Sequence, residues 1–140
     1  MKATRETARQ LDARKVKDAL VRFDCFRRHF GSHAPIVEDA IHSTIRHICP
    51  DFRGARWSYF ELSNGGFYMA PDLGHLRVCV ASNGYNEPMS ADAVGVTVCL
   101  IALRGLSFQI PTEIIRNHRR QSHVFALEHC ERDRILAAAW

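Results

Sequence analysis

Between residues 91 and 104 the only polar side chains are Asp92, Thr97 and Arg104. A segment apolar on nearly every side must be covered on nearly every side, so it belongs at the centre of the fold. Ser90 in front of it suits an N-cap, and the run reads as a buried central helix. Val94, Val96, Thr97, Val98 and Ile101 are β-branched, which leaves a buried strand as the alternative. Its most apolar part, residues 93–103, is shorter than the about 20 residues that cross a bilayer and contains Gly95 and Thr97, so no membrane span is expected.

The segments before this run change periodicity. Residues 4–30 contain no proline or glycine, and Leu11, Val16, Leu20, Phe23 and Phe26 recur at loosely helical spacing, so one or two helices are expected up to Gly31. Val37, Ile41, Ile45 and Ile48 form the apolar stripe of a second helix that starts near Pro35 and ends before Pro50. From Trp57 the period becomes two, with Trp57, Tyr59 and Glu61 on one face and Ser58, Phe60 and Leu62 on the other. Ser63, Asn64, Gly65 and Gly66 reverse the chain, which returns through Phe67, Tyr68, Met69 and Ala70. Pro71, Asp72 and Gly74 make the next turn. A third strand follows through Leu76, Val78 and Val80, and Asn83-Gly84 announces a short fourth strand at an edge or end because of Pro88. After the central run, Thr112 caps one or two C-terminal helices.

Helices, then strands, then helices describe an α+β single domain: a four-stranded antiparallel meander flanked by helices. The division expected along the chain is a basic helical N-terminal extension over residues 1–22 and the folded domain over residues 23–140. Five cysteines without any C-x-x-C pair read as reduced thiols, mostly buried. Charge at the N-terminus with no apolar stretch behind it argues against a secretory signal and for a cytoplasmic location.

The ordered segment W-S-Y-F-E-L-S-N-G-G-F-Y-M-A-P-D-L-G at residues 57–74 resembles the signature of the KlcA/ArdB antirestriction family. The S-A-D-A-x-G run at residues 90–95 and the apolar helix after it are similar to that family in order and spacing, and the resemblance extends over residues 23–140. It departs at residues 26–31, where the family is expected to carry a proline near Arg27. The resemblance implies a non-enzymatic protein of plasmids or other mobile genetic elements that evades restriction-modification, relieving type I restriction of incoming DNA. Its implied partner is the type I restriction-modification complex or a host factor controlling it.

Charge bears on the mode of action. The net charge is +4, with nine Lys/Arg against four Asp/Glu in residues 1–30 and five against eight in residues 31–115. A mimic of duplex DNA must present carboxylates in place of phosphates spaced about one charge per 1.7 Å of axis. Fifteen carboxylates that form no run do not do this, so protein contacts are expected instead of acidic DNA mimicry. The candidate contact surface is the aromatic hairpin: Trp57, Tyr59, Asn64, Gly65, Gly66, Phe67, Tyr68, Pro71 and Asp72, though the same residues also read as a tight turn and a filled core. Arg116, Arg119 and Arg120 are candidate phosphate contacts, which keeps weak nonspecific nucleic-acid binding, and with it a small basic DNA-binding accessory protein, as the alternative. His29 and His33, or Cys25 and His29, share an i, i+4 spacing, but Gly31 and Ser32 interrupt a helix through both histidines and no other ligand pair is recognisable, so no metal and no cofactor are expected. Cys79 near His75 and Asp72 shows no activating arrangement, so no catalytic residue is assigned. Nothing in the residues fixes an oligomeric state.

Overall fold

The computed structural model describes residues 11–140. The first described element is a strand, β1 (Ala13–Lys15), which pairs antiparallel with β2 (Trp57–Leu62), setting Arg14 opposite Glu61. This corrects the helix expected from residue 4; the part of that helix at residues 4–10 lies outside the described residues. Two contacts decide it. The Val16 amide donates to the Tyr59 carbonyl at 2.8 Å and buries Val16, and the Asp18 carboxylate accepts from the Leu20 and Val21 amides, so the helix begins only after Asp18. That helix, α1 (Ala19–Phe30), ends at Gly31, whose φ of 57° suits a residue without Cβ. A single 3-10 turn leads into α2 (Ala34–Ile48), with Pro35 in its first turn and Val37, Ile41, Ile45 and Ile48 buried as expected.

β2 returns through β3 (Phe67–Pro71), with Tyr59 opposite Met69 and Phe60 opposite Tyr68. β4 (His75–Val80) and β5 (Tyr85–Ser90) follow, but they pair only with each other. The four-stranded meander is therefore corrected to a three-stranded sheet, ordered β1-β2-β3, and a separate two-stranded ribbon. The reason lies at the outer edge of β3. Tyr59 gives its carbonyl to Val16, so its partner Met69 turns its own peptide groups away from β2. That edge is taken by α3 (Ala91–Gln109): a Cβ on Gly95 would stand 2.3 Å from the Met69 carbonyl oxygen, and the Met69 backbone hydrogen bonds the buried Cys99 thiol. No room for a fourth strand is left, and all five residues of β3 are buried. Pro88 lies within β5, on its exposed stretch, where its missing amide costs nothing.

The apolar run is a helix, which settles its strand alternative. Ser90 accepts from the Ala93 amide at the N-cap, and the helix continues past Arg104 because Leu106 and Ser107 are also buried. It packs on β3, α2, α4 (Glu113–Glu128) and α5 (Arg132–Ala139). Its full length is enough to cross a bilayer, contrary to the shorter span read from the sequence, yet most of it is enclosed by these neighbours. Thr112 caps α4 through the Ile115 amide at 3.4 Å. Cys25, Cys49 and Cys99 are buried, Cys79 is half-buried and Cys130 is exposed, all five as free thiols.

Candidate functional site

The hairpin residues sit mostly inward. Phe67, Tyr68 and Pro71 are buried, Trp57, Tyr59 and Asn64 are half-buried, and Gly65 and Asp72 are exposed. Phe67 packs edge-on against Phe26, Phe30 and Tyr59, while Tyr68 stacks between Phe60 and Phe125. The turn itself is clamped to α4. Asn64 Nδ2 donates to the Gln121 carbonyl at 3.1 Å, Gln121 Nε2 donates to the Asn64 carbonyl at 3.0 Å, and a Cβ on Gly66 would meet Gln121 Cβ at 2.9 Å. Trp57 faces His42 and Phe52, and Asp72 accepts from the Ser58 hydroxyl at 2.5 Å.

Glu61, Asp92 and Glu131 are held in networks within the fold. Glu61 accepts from Arg14 and Arg28 at 3.0 Å each and from His29 Nε2 at 2.8 Å. Burial pushes its pKa up, but the bonds from His29 and Arg28 outweigh this and the net direction is down. Cys25, His29 and Glu61 place their donor atoms within 4.8 Å of one another, a juxtaposition that no sequence spacing reveals because Glu61 is on β2 and the others on α1. The two guanidiniums already supply the positive charge that a cation would bring there. Behind it, His118 Nε2 donates to the His29 carbonyl at 3.1 Å and its Nδ1 is buried with no partner; burial first, and then the His29 charge, push its pKa down to about 4. Asp92 accepts from Tyr68 at 2.7 Å and from His129 at 2.8 Å, and Glu131 accepts from the Ser90 hydroxyl. The Asp92–His129 pair has the look of an acid–base couple, yet His129 Nδ1 is taken by the Glu131 amide at 2.9 Å, which leaves neither ring nitrogen free. Cys79 donates to Asn86 at 3.2 Å, a cross-strand contact within the ribbon.

The three arginines singled out in the sequence do converge. Arg116, Arg119 and Arg120 on α4 meet Arg104 of α3, His123 and Trp140 around a cleft of about 370 Å³. The spacing of three and four along α4 puts its members on one face; Arg104 and Trp140, from distant parts of the chain, were not legible. Arg104 lies 4.5 Å over the Trp140 ring, and Arg119 lies 5.7 Å from the centroid of the largely exposed Phe108. Partial burial, with the Arg119 charge second, pulls the Arg104 pKa down. Among the described residues none of these four guanidiniums meets a carboxylate, whereas Arg14, Arg27, Arg28, Arg132 and Arg134 all do.

A central apolar helix packed on a three-stranded sheet, with four arginines that meet no carboxylate around one cleft, defines a small single-domain α+β protein. More particularly, residues 50–139 match the family described as antirestriction protein, and the chain belongs to that family. It is 38% identical over 91 residues to the antirestriction protein KlcA of Escherichia coli, an alignment covering 64% of each chain, so the match spans just under two thirds of that relative. It is 30% identical over 120 residues to the E. coli K12 protein YafX, covering 82% of this chain and 79% of that one. The solved KlcA and ArdB work describes a novel fold with antirestriction activity against type I DNA restriction systems in vivo but not in vitro; the matched structure has a TM-score of 0.85 and 34% identity, over 93% of this chain and 95% of that one.

Proposed function

We propose that this protein relieves type I restriction of incoming DNA through protein contacts, without enzymatic chemistry and without imitating the acidic surface of DNA. The observation that carries the reading is the sign and placement of its charge. Glu61, Asp92 and Glu131 are engaged with Arg28, His129 and Ser90 within the fold, and the remaining carboxylates form no run in a chain of net charge +4. The charge gathered around the cleft of Arg104, Arg116, Arg119 and Arg120 is positive, the sign opposite to a DNA mimic. That KlcA and ArdB act in vivo but not in vitro supports a partner supplied by the cell, and so favours a host factor controlling the restriction complex over direct blockade of the enzyme. Of the candidate hairpin residues, Trp57, Tyr59, Asn64, Gly65 and Asp72 are exposed or half-buried, and the buried rings support them.

The test is the plating efficiency of unmodified phage on a host with an active type I system, with and without the protein, and on a strain lacking restriction. Restored plating confined to the restricting host is expected. Plating that stays restricted in the presence of soluble, folded protein would overturn the reading. The arginine cleft favours a second reading, a basic DNA-binding accessory protein. That reading requires salt-sensitive DNA binding that disappears when Arg116, Arg119 and Arg120 are neutralised.

A further inference from the structure

We infer that the cleft between α3, α4 and Trp140 is a binding site for a nucleotide, either free or at the phosphorylated end of a single strand, with the phosphate among the arginines and the base against the indole. Arg104, Arg116, Arg119 and Arg120 line one cavity together with His123, Leu100 and Trp140, and its volume of about 370 Å³ falls in the roughly 300–1,000 Å³ range of small-molecule sites.

Four guanidiniums around one cavity repel one another, and among the described residues no carboxylate lies within ion-pair distance of them. Their bonds within the fold use only part of their donors: Arg116 reaches the Pro111 carbonyl at 2.6 Å, Arg119 the Ser107 hydroxyl at 3.1 Å and Arg120 the Asn117 side chain at 2.6 Å. Each guanidinium has five N–H donors in a planar fork that matches phosphate oxygens, so donors remain for an anion. A phosphate monoester brings about −1.5 to −2 charges at pH 7, more than one carboxylate, which suits a site this positive. His123 lines the same cleft, and its ring lies 5.7 Å from Trp140.

The apolar side of the cleft distinguishes a nucleotide from inorganic phosphate. Trp140 remains 54% exposed although Arg104 covers one of its faces, so a flat aromatic surface stands beside the cations. Base stacking on such a ring is tolerant of base identity. A merely electrostatic surface would bind any polyanion and would not register the base or a terminal phosphate.

Equilibrium dialysis of the full chain against AMP, adenosine and inorganic phosphate tests this, with Trp140 fluorescence in a W57F background to locate the event. AMP is expected to bind saturably and quench Trp140, with adenosine and phosphate each at least about tenfold weaker. R116Q and R120Q should each weaken AMP binding while leaving the fold intact, and R120K should retain more than R120Q. A 5′-phosphorylated oligonucleotide that outcompetes AMP, and a 5′-hydroxyl one that does not, would identify a strand end as the source; the reverse order identifies the free nucleotide. No saturable AMP binding, equal binding of AMP and adenosine, or binding unchanged in both arginine variants would overturn the proposal. Phage plating is independent of all these readouts, so failure here leaves the antirestriction reading standing.

Discussion

A Cβ placed on Gly95 would lie 2.3 Å from the carbonyl oxygen of Met69, so the central helix and the inner strand touch backbone to backbone. Replacing a helical glycine by alanine ordinarily stabilises by up to about 1 kcal/mol. At this position the clash with backbone reverses the sign, and G95A is expected to cost about 3 kcal/mol, the upper end of the usual overpacking range. G105A, in the same helix with open space around it, should instead stabilise by about 0.5–1 kcal/mol. Urea unfolding of the two variants measures both, and a G95A protein as stable as wild type would rule out the contact.

Acid should weaken the fold through its buried histidines. His118 is buried, and burial together with the neighbouring His29 charge lowers its pKa from 6.5 to about 4; burial likewise lowers that of His29. A histidine with a depressed folded pKa contributes its full stability above the unfolded value of 6.5 and loses it as pH falls toward 4, because the unfolded chain takes up the proton first. The loss attributable to His118 is on the order of 3 kcal/mol. Thermal midpoints followed from about pH 7 to about pH 4.5 should fall steeply in wild type and less so in H118Q. Identical slopes would exclude His118 as the cause.

Tyr68 joins the sheet to α3 by donating to Asp92 at 2.7 Å from a buried position. The Y68F variant keeps both ring stacks and loses only the hydroxyl, leaving Asp92 to His129. A destabilisation of about 1.5–3 kcal/mol is expected, the range for a bond to a charged group. Chemical denaturation of Y68F and D92N alone and together should show that the two effects do not add.

Gln121 anchors the hairpin turn by bonding the Asn64 carbonyl. Q121A should cost about 1 kcal/mol and increase amide exchange selectively at residues 63–66, because the turn loses its dock while the β2–β3 ladder remains. Unchanged exchange in the turn would mean that its own bonds suffice to hold it.

Much of the architecture is local and was legible. The stripe of Val37, Ile41, Ile45 and Ile48, the alternation from Trp57, the reversal at Asn64-Gly65-Gly66 and the unbroken apolar run after Ser90 each express a period or a cap within a few residues, and each forms the element they announce. So does the family, through the ordered segment of residues 57–74, and so does the clustering of Arg116, Arg119 and Arg120, which one turn of helix ensures.

What the tertiary structure alone decided is which elements meet. Val16 competes for the edge of β2 and turns an apparent helix into a strand, and Gly95 lets α3 occupy the edge of β3 that a meander would use. Glu61 reaches His29 across 32 positions, and Trp140 comes to Arg104 from the far end of the chain. Side-chain periodicity states which face of an element is apolar, but it carries no term for the partner that will cover that face. Such pairings are fixed only when backbone groups and charges are satisfied across long stretches of sequence.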